Sequence, residues 1–316
     1  MIELMTEQIK VRFSNFGDVN NSFFIAPLNK IFRQNDMFYK EIKYSKADIE
    51  FFSVFGYKRF LEKSKSSYKI FFTGENVNSG GVVDTYRQYA GNCTEYVDLA
   101  MGFDFIDVDN YLRLPLWIPW YFQPYDSKDD IKRKLQSFTC FFERRTKFCS
   151  MIARHDTTKL RSKICQDVSR IAHVDCPGKL LHNDDTLWQQ FADNKDQYLR
   201  QYKFNICPEN SIGNGYVTEK LFQAWNAGCI PIYNGYSKDP EPGILNPKVF
   251  LWYEPDGDNT DMLNRIRELN ADEKKYKEFI SQQFFMDTAV DKIYNYLHNY
   301  CERMERIAEQ IVQEKR

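Results

Sequence analysis

The sequence is short of several features, and each shortage excludes a class of function. No apolar run approaches the ~20 residues of a membrane-spanning helix. No basic excess exists: 43 Lys and Arg stand against 44 Asp and Glu, a net charge of −1. A nucleic-acid binder needs a clustered basic footprint, which this chain lacks. Neither G-x-G-x-x-G nor a Walker sequence occurs, so standard dinucleotide and P-loop sites are excluded. The eight cysteines, Cys93, Cys140, Cys149, Cys165, Cys176, Cys207, Cys229 and Cys301, include no C-x-x-C pair. Several sit in apolar strand-like runs and read as buried thiols in a reducing compartment, not as a zinc site or disulfide framework. Three of the four histidines, His173, His182 and His298, are scattered and read as structural. The start, MIELMTEQIK, carries acids and lacks the apolar core of a signal peptide. No internal repeat or low-complexity tract interrupts the chain. These absences predict a soluble, unexported, cytoplasmic protein. The tail lacks heptad leucines and a basic amphipathic anchor, so stable membrane docking is not expected and peripheral association is the most it allows.

What is present points to two α/β domains. The 316 residues are 43% hydrophobic and include 26 Phe and 20 Tyr, enough for two cores. Short apolar stretches at 8–16, 47–55, 68–72, 99–106, 147–153, 204–207 and 249–253 predict strands. Their doubly apolar character fits parallel sheets covered on both faces. Residues 159–171 place Leu160, Ile164, Val168 and Ile171 at helical spacing. Residues 173–182 read as a loop with a Pro-Gly turn, and 193–201 as a polar helix. The charged stretch 126–134 marks a domain crossing just after it. Domains are therefore expected at 1–140 and 141–298, with a charged terminal helix at 299–316. Ligands in such sheets bind beyond the carboxyl ends of the strands, so a cleft between the domains is the expected site.

The richest stretch is 202–235, YKFNICPENSIGNGYVTEKLFQAWNAGCIPIYNG. It spells an apolar strand, a polar loop, a short helix, a Gly stop and a second apolar strand. Thr218 is the expected N-cap and Gly228 the expected C′ residue. Tyr216, Glu219 and Lys220 stand at the helix start, where backbone N–H groups and a lysine converge as a diphosphate requires. Capping does not account for the preceding Glu209-Asn210-Ser211 and Gly213-Asn214-Gly215. Spacing alone leaves an ordinary β–loop–α turn and an anion site equally open.

The wording of this stretch resembles the donor-site signature of the α-1,3-fucosyltransferases, glycosyltransferase family 10. The likeness continues in FFTGEN at 71–76, GFDFIDVDNYLRLPLW at 102–117, FCSMIARHDTTKLRSKI at 148–164 and VDCPGKLLHN at 174–183, all in the family's order. The resemblance implies two Rossmann-like domains facing across a cleft, the GT-B-type architecture. It implies an inverting transfer of L-fucose from GDP-fucose to an N-acetylglucosamine residue of a glycan such as N-acetyllactosamine, through an α-1,3 or α-1,4 linkage. Glu75 would be the general base. Arg161 and Lys220 would hold the diphosphate, Glu219 would accept from sugar hydroxyls, Tyr216 would meet the nucleotide and Asn210 the donor sugar. No cofactor or metal is implied. Asp107-Val108-Asp109 lies in the first domain, away from the donor residues, and His155-Asp156 is too small a pair for a metal site.

The chain also departs from the family pattern. Pro208 stands where an aromatic is usual, and Asn234 where Trp is common. The stretch between Glu75 and Gly102 is longer than in compact bacterial relatives, and 78–93 within it is expected to shape acceptor choice. Asn92-Cys93-Thr94 spells a glycosylation sequon, read as coincidence. Two other readings stay open: the same architecture with another nucleotide sugar, and a glycan-binding protein that has lost catalysis.

Overall fold

The structure, a computed structural model, describes residues 8–17, 21–78, 83–138 and 145–316. The first seven residues, Cys140, part of the expected acceptor segment (79–82) and the expected boundary at 140/141 lie outside the described residues.

The chain divides into Met1–Lys128 with Asp291–Arg316, and Asp129–Val290. In the first unit, strands β1 (Gln8–Ser14), β2 (Phe38–Glu41), β3 (Ile49–Phe52), β4 (Tyr68–Phe72), β5 (Leu99–Gly102) and β6 (Tyr111–Arg113) form one sheet in the order β2-β1-β3-β4-β5-β6. Every pairing is parallel. All four residues of β3 and of β5 are buried, as strands covered on both faces must be. The edge strand β2 is exposed throughout and carries Lys40 and Glu41. Charged residues suit an edge that must not recruit further strands.

The helix Asn21–Gln34 packs Phe23, Phe24, Leu28 and Phe32 into this unit, although Pro27 stands in its interior. Proline has no N–H, so the Phe23 carbonyl four residues earlier loses its helical donor. Tyr300 replaces it: its hydroxyl lies 3.2 Å from the Phe23 carbonyl oxygen and 3.1 Å from that of Phe24. Tyr300 belongs to the terminal helix, Ala289–Lys315. That helix starts ten residues before the expected 299 and is a working part of the first unit. Its apolar stripe, including Ile293, Leu297, Met304 and Ile311, is buried. The ring of Tyr300 stacks on Phe23 at 4.9 Å, and the Cys301 thiol donates to the Pro124 carbonyl. Sequence charge alone made this helix look solvated; its 3.6-residue periodicity carries the packing.

The second unit holds β7 (Lys147–Ser150), β8 (Val174–Asp175), β9 (Tyr202–Ile206), β10 (Ile230–Tyr233) and β11 (Leu251–Trp252), ordered β11-β10-β9-β7-β8 and again wholly parallel. Its core joins Cys149, Phe204, Ile206, Ile230 and Ile232 of the sheet to Ile164, Val168, Ile266 and Leu269 of the helices. The unit begins at Asp129, within the charged stretch and not after it, because 128–137 is a helix (Lys128–Ser137) rather than a linker. Residues 174–175 are a strand, not loop, paired beside β7. None of the seven described cysteines is in a disulfide, and all are buried. Among the described residues, no helix is long and apolar enough to cross a membrane.

Candidate active site

The central strand β9 runs out at Ile206, and its backbone pairing with the neighbouring strand continues past it. Cys207 N–H donates to the Ile232 carbonyl at 3.0 Å, and Glu209 N–H to the Asn234 carbonyl at 2.9 Å. This extension delivers Glu209 to a fixed place under the next helix, Glu219–Asn226. Its carboxylate is fully enclosed, at 0% side-chain exposure. One oxygen accepts the Thr218 N–H at 2.8 Å and the Tyr233 hydroxyl at 3.2 Å. The other accepts the Thr218 hydroxyl at 2.7 Å and lies 3.4 Å from the Lys220 ammonium.

Thr218 holds the N-cap position as the sequence predicts, but its side chain accepts no backbone N–H of the helix. Its hydroxyl donates to Glu209 and accepts from the Lys220 ammonium. A carboxylate from the end of a strand thus satisfies the helix start and meets its positive dipole end. The other end of the helix follows the sequence. Gly228 adopts φ +75°. Its N–H donates to Trp225 at 2.8 Å, and that of Cys229 to Ala224 at 2.9 Å, which is a Schellman close.

Lys220 is aimed by three neighbours: Glu209, the Thr218 hydroxyl at 2.9 Å and Glu219 at 3.7 Å. Arg161 approaches from the helix Leu160–Ser169. Asp156 fixes the start of that helix by accepting the N–H of Arg161 at 3.0 Å and of Ser162 at 2.8 Å. Burial tends to raise the Asp156 pKa, yet these hydrogen bonds and the Arg161 charge bring it below the usual carboxylate range. Asp156 therefore serves as a helix cap. The Arg161 guanidinium donates to the His155 carbonyl at 2.7 Å and to Oδ1 of Asn210. Burial lowers its pKa, opposed by the charges of Glu209 and Asp156; an arginine stays cationic through such a shift.

Arg161, Glu219 and Lys220 line one hollow of about 110 Å³, floored by Asn205, Cys207 and Pro208. Alone it is too small for a nucleotide. A second hollow of about 520 Å³ shares Ile152, Ala153 and Lys195 with the first and reaches Trp188 and His182. Together they fall within the roughly 300–1,000 Å³ range of small-molecule sites. Asn210 reaches the site through Arg161. Tyr216 is 1% exposed and lines neither hollow; it stands within electrostatic reach of Arg161. Of the two departures from the family pattern, Pro208 lines the smaller hollow, and Asn234 ties strand ends together by donating to the Tyr253 carbonyl at 3.1 Å.

The sequence points to Arg161 and Lys220 but gives Glu209 no role, setting it in a run that capping does not explain; here Glu209 is itself the capping group and orients Lys220. The signal was there: a Glu directly after an apolar strand and before a polar loop has no solvent-facing excuse if the strand extension is buried. Lys195 and Trp188 were also missed, because nothing local distinguishes them from a helix lysine and a surface tryptophan.

Glu75 belongs to the first unit, at the carboxyl end of β4. The Thr73 hydroxyl accepts the Glu75 N–H at 3.0 Å and donates to the Glu75 carbonyl at 2.8 Å, which fixes the backbone there. The segment that follows is tied down by Asp104. Asn78 donates to both Asp104 oxygens at 3.2 Å, and Asn92 to one of them at 2.9 Å. Burial raises the Asp104 pKa, against the hydrogen bonds of Asn92 and Asn78. The sequon asparagine is therefore interior.

The sequence and the fold have counterparts among known proteins. The family described as glycosyltransferase family 10 (fucosyltransferase) C-term matches residues 142–316. The alpha-(1,3)-fucosyltransferase FucT N-terminal domain family matches residues 11–120. The alpha-(1,3)-fucosyltransferase FucT of Helicobacter pylori is 27% identical over 264 residues, covering 74% of this chain and 51% of that protein. The chain thus spans about half the length of that curated relative. A crystal structure of an alpha1,3-fucosyltransferase superposes with a TM-score of 0.61 at 22% identity, covering 96% of this chain and 92% of the other. One with GDP-fucose gives 0.58 at 23% identity, covering 96% and 93%. These likenesses show the fold, α/β with two parallel sheets. Since the first family description takes in more than half of its residues, the chain belongs to glycosyltransferase family 10, the fucosyltransferase family.

Proposed function

We propose that this protein transfers L-fucose from GDP-fucose to an N-acetylglucosamine residue of a glycan, with inversion, forming an α-1,3 linkage. One observation carries the reading: Arg161 and Lys220 line a single hollow beyond the carboxyl end of the central strand. Two oriented cations there suit a diphosphate leaving group. Family membership and the related structure with GDP-fucose support the donor class.

In the proposed step, the acceptor hydroxyl oxygen bonds to the anomeric carbon of fucose as the bond to the phosphate oxygen breaks. The hydroxyl proton passes to the Glu75 carboxylate, and GDP departs with the bond's electron pair. Negative charge grows on the diphosphate in the transition state. Arg161 and Lys220 stabilise that charge more than they stabilise the bound donor, which is what lowers a barrier. Arg161 offers a planar fork to two phosphate oxygens, and Lys220 a compact charge. This pair supplies the charge that a metal would supply elsewhere, so activity is expected to persist in a chelator.

The test is to incubate the protein with GDP-fucose and N-acetyllactosamine in the presence of EDTA and to analyse the product by NMR. An α-fucosyl product on O3 of N-acetylglucosamine supports the reading. No fucosylated product with a folded protein would overturn it.

A further inference from the structure

The parallel register sets Phe52 of β3 beside Phe71 of β4. The chain therefore leaves both strands side by side at their carboxyl ends. Three residues beyond Phe52 stands Phe55, and four beyond Phe71 stands Glu75. Phe55 is 49% exposed and meets the half-buried Tyr86 edge to face, with centroids 6.0 Å apart at 86°. Tyr86 lies within the electrostatic reach of Glu75. Burial first, and then that carboxylate, hold its phenol above the ordinary range.

Tyr86 packs partly against the core that holds Phe71 and Tyr89, and Phe55 stays half exposed beside it. Gly17 leaves room for the Phe55 ring; a Cβ there would come within 2.7 Å of it. Gln88 latches the two segments together by accepting the Lys58 N–H at 2.8 Å and donating to the Gly56 carbonyl at 3.2 Å. The surface is preorganised, so a ligand does not have to order it.

We propose that Phe55 and Tyr86 form the platform on which one pyranose ring of the acceptor glycan rests. This rests on the proposed fucosyl transfer with Glu75 as base. A pyranose has an apolar C–H face and a rim of hydroxyls. The platform has the matching parts: two aromatic rings for the face, with a carboxylate beside them for the rim. Two rings are too little apolar area for a stable protein partner, which needs roughly 800 Å² a side. Tyr86 lies within the segment 78–93 expected to shape acceptor choice, so the platform would set which glycan is accepted.

The test compares Phe55→Ala, Tyr86→Ala and Tyr86→Trp with wild type. Acceptor KM for N-acetyllactosamine should rise roughly tenfold in each alanine variant. The KM for GDP-fucose should stay put, and Tyr86→Trp should stay close to wild type. A merely structural role would lower kcat or lose protein without this split. Unchanged acceptor KM in both folded alanine variants would overturn the platform. Should wild type transfer no fucose, the functional reading fails separately. Saturation-transfer NMR with N-acetyllactosamine then decides the platform. A saturation signal on the glycan that vanishes in Tyr86→Ala supports it, and an undiminished signal overturns it.

Discussion

Glu209 caps Thr218 twice, taking its N–H at 2.8 Å and its hydroxyl at 2.7 Å on separate carboxylate oxygens. The same carboxylate faces Lys220, so one buried acid both starts the helix and aims its lysine. Burial and the adjacent Glu209 push the Tyr233 phenol well above its ordinary range, which keeps it a hydrogen-bond donor.

Glu209→Ala should therefore be costly. It orphans the Thr218 N–H, the Thr218 hydroxyl and the Tyr233 hydroxyl, and removes a partner of Lys220. A loss of about 3 kcal/mol is expected, read from denaturant unfolding. A loss below about 1 kcal/mol would mean that water or a neighbour replaces the carboxylate.

Arg161→Lys keeps the charge but loses the fork. GDP affinity should fall roughly tenfold, as for one lost charge-assisted hydrogen bond. Calorimetry against GDP checks this. Undiminished affinity would reduce Arg161 to a point charge or to a partner of Asn210 alone.

Much of this site was legible in the sequence, and the reasons are local. The motif order pointed to Arg161 and Lys220, and the apolar runs gave β4 at its true position and β9 displaced by one to two residues. Other features failed for physical reasons. The strands Tyr111–Arg113 and Val174–Asp175 are too short to show a period. The helix Asn21–Gln34 was hidden by Pro27, since a mid-helix proline argues against a helix until a Tyr300 is found to replace the lost donor. Glu209 could be read as one more polar loop residue because its partners are nine, eleven and twenty-four positions away. Phe55 and Tyr86 are thirty-one positions apart, and only strand register brings their segments to one sheet edge.

Glu75→Gln keeps size and hydrogen bonding but cannot take a proton. Its kcat should fall by about 10²- to 10⁴-fold with GDP affinity unchanged. Steady-state rates beside GDP titration decide it. A kcat within a few-fold of wild type would remove Glu75 as the base.

Glu50 supplies a pH test of the first unit. It is 2% exposed and accepts from Arg12 at 2.8 and 2.5 Å, from Ser14 at 2.6 Å, from Ser64 at 2.6 Å and from Ser66 at 2.7 Å. Burial raises its pKa, but these bonds outweigh burial and bring it below the ordinary 4.5. In the window between the two values the unfolded chain binds more protons than the folded one. Stability should thus be fully present above 4.5 and fall as pH drops through the lowered folded value. Denaturant midpoints across acid pH should show this slope, and Glu50→Gln should flatten it. An unchanged slope in the variant would assign the acid sensitivity elsewhere.

The most direct test is calorimetric titration of the purified protein with GDP, with ADP and UDP as controls, in wild type and Lys220→Ala. GDP-selective binding is expected, weakened at least about tenfold in the variant by the loss of a charge-assisted interaction. A folded wild type that binds no GDP, or a variant that binds it as tightly as wild type, would contradict the placement of the donor at Arg161 and Lys220.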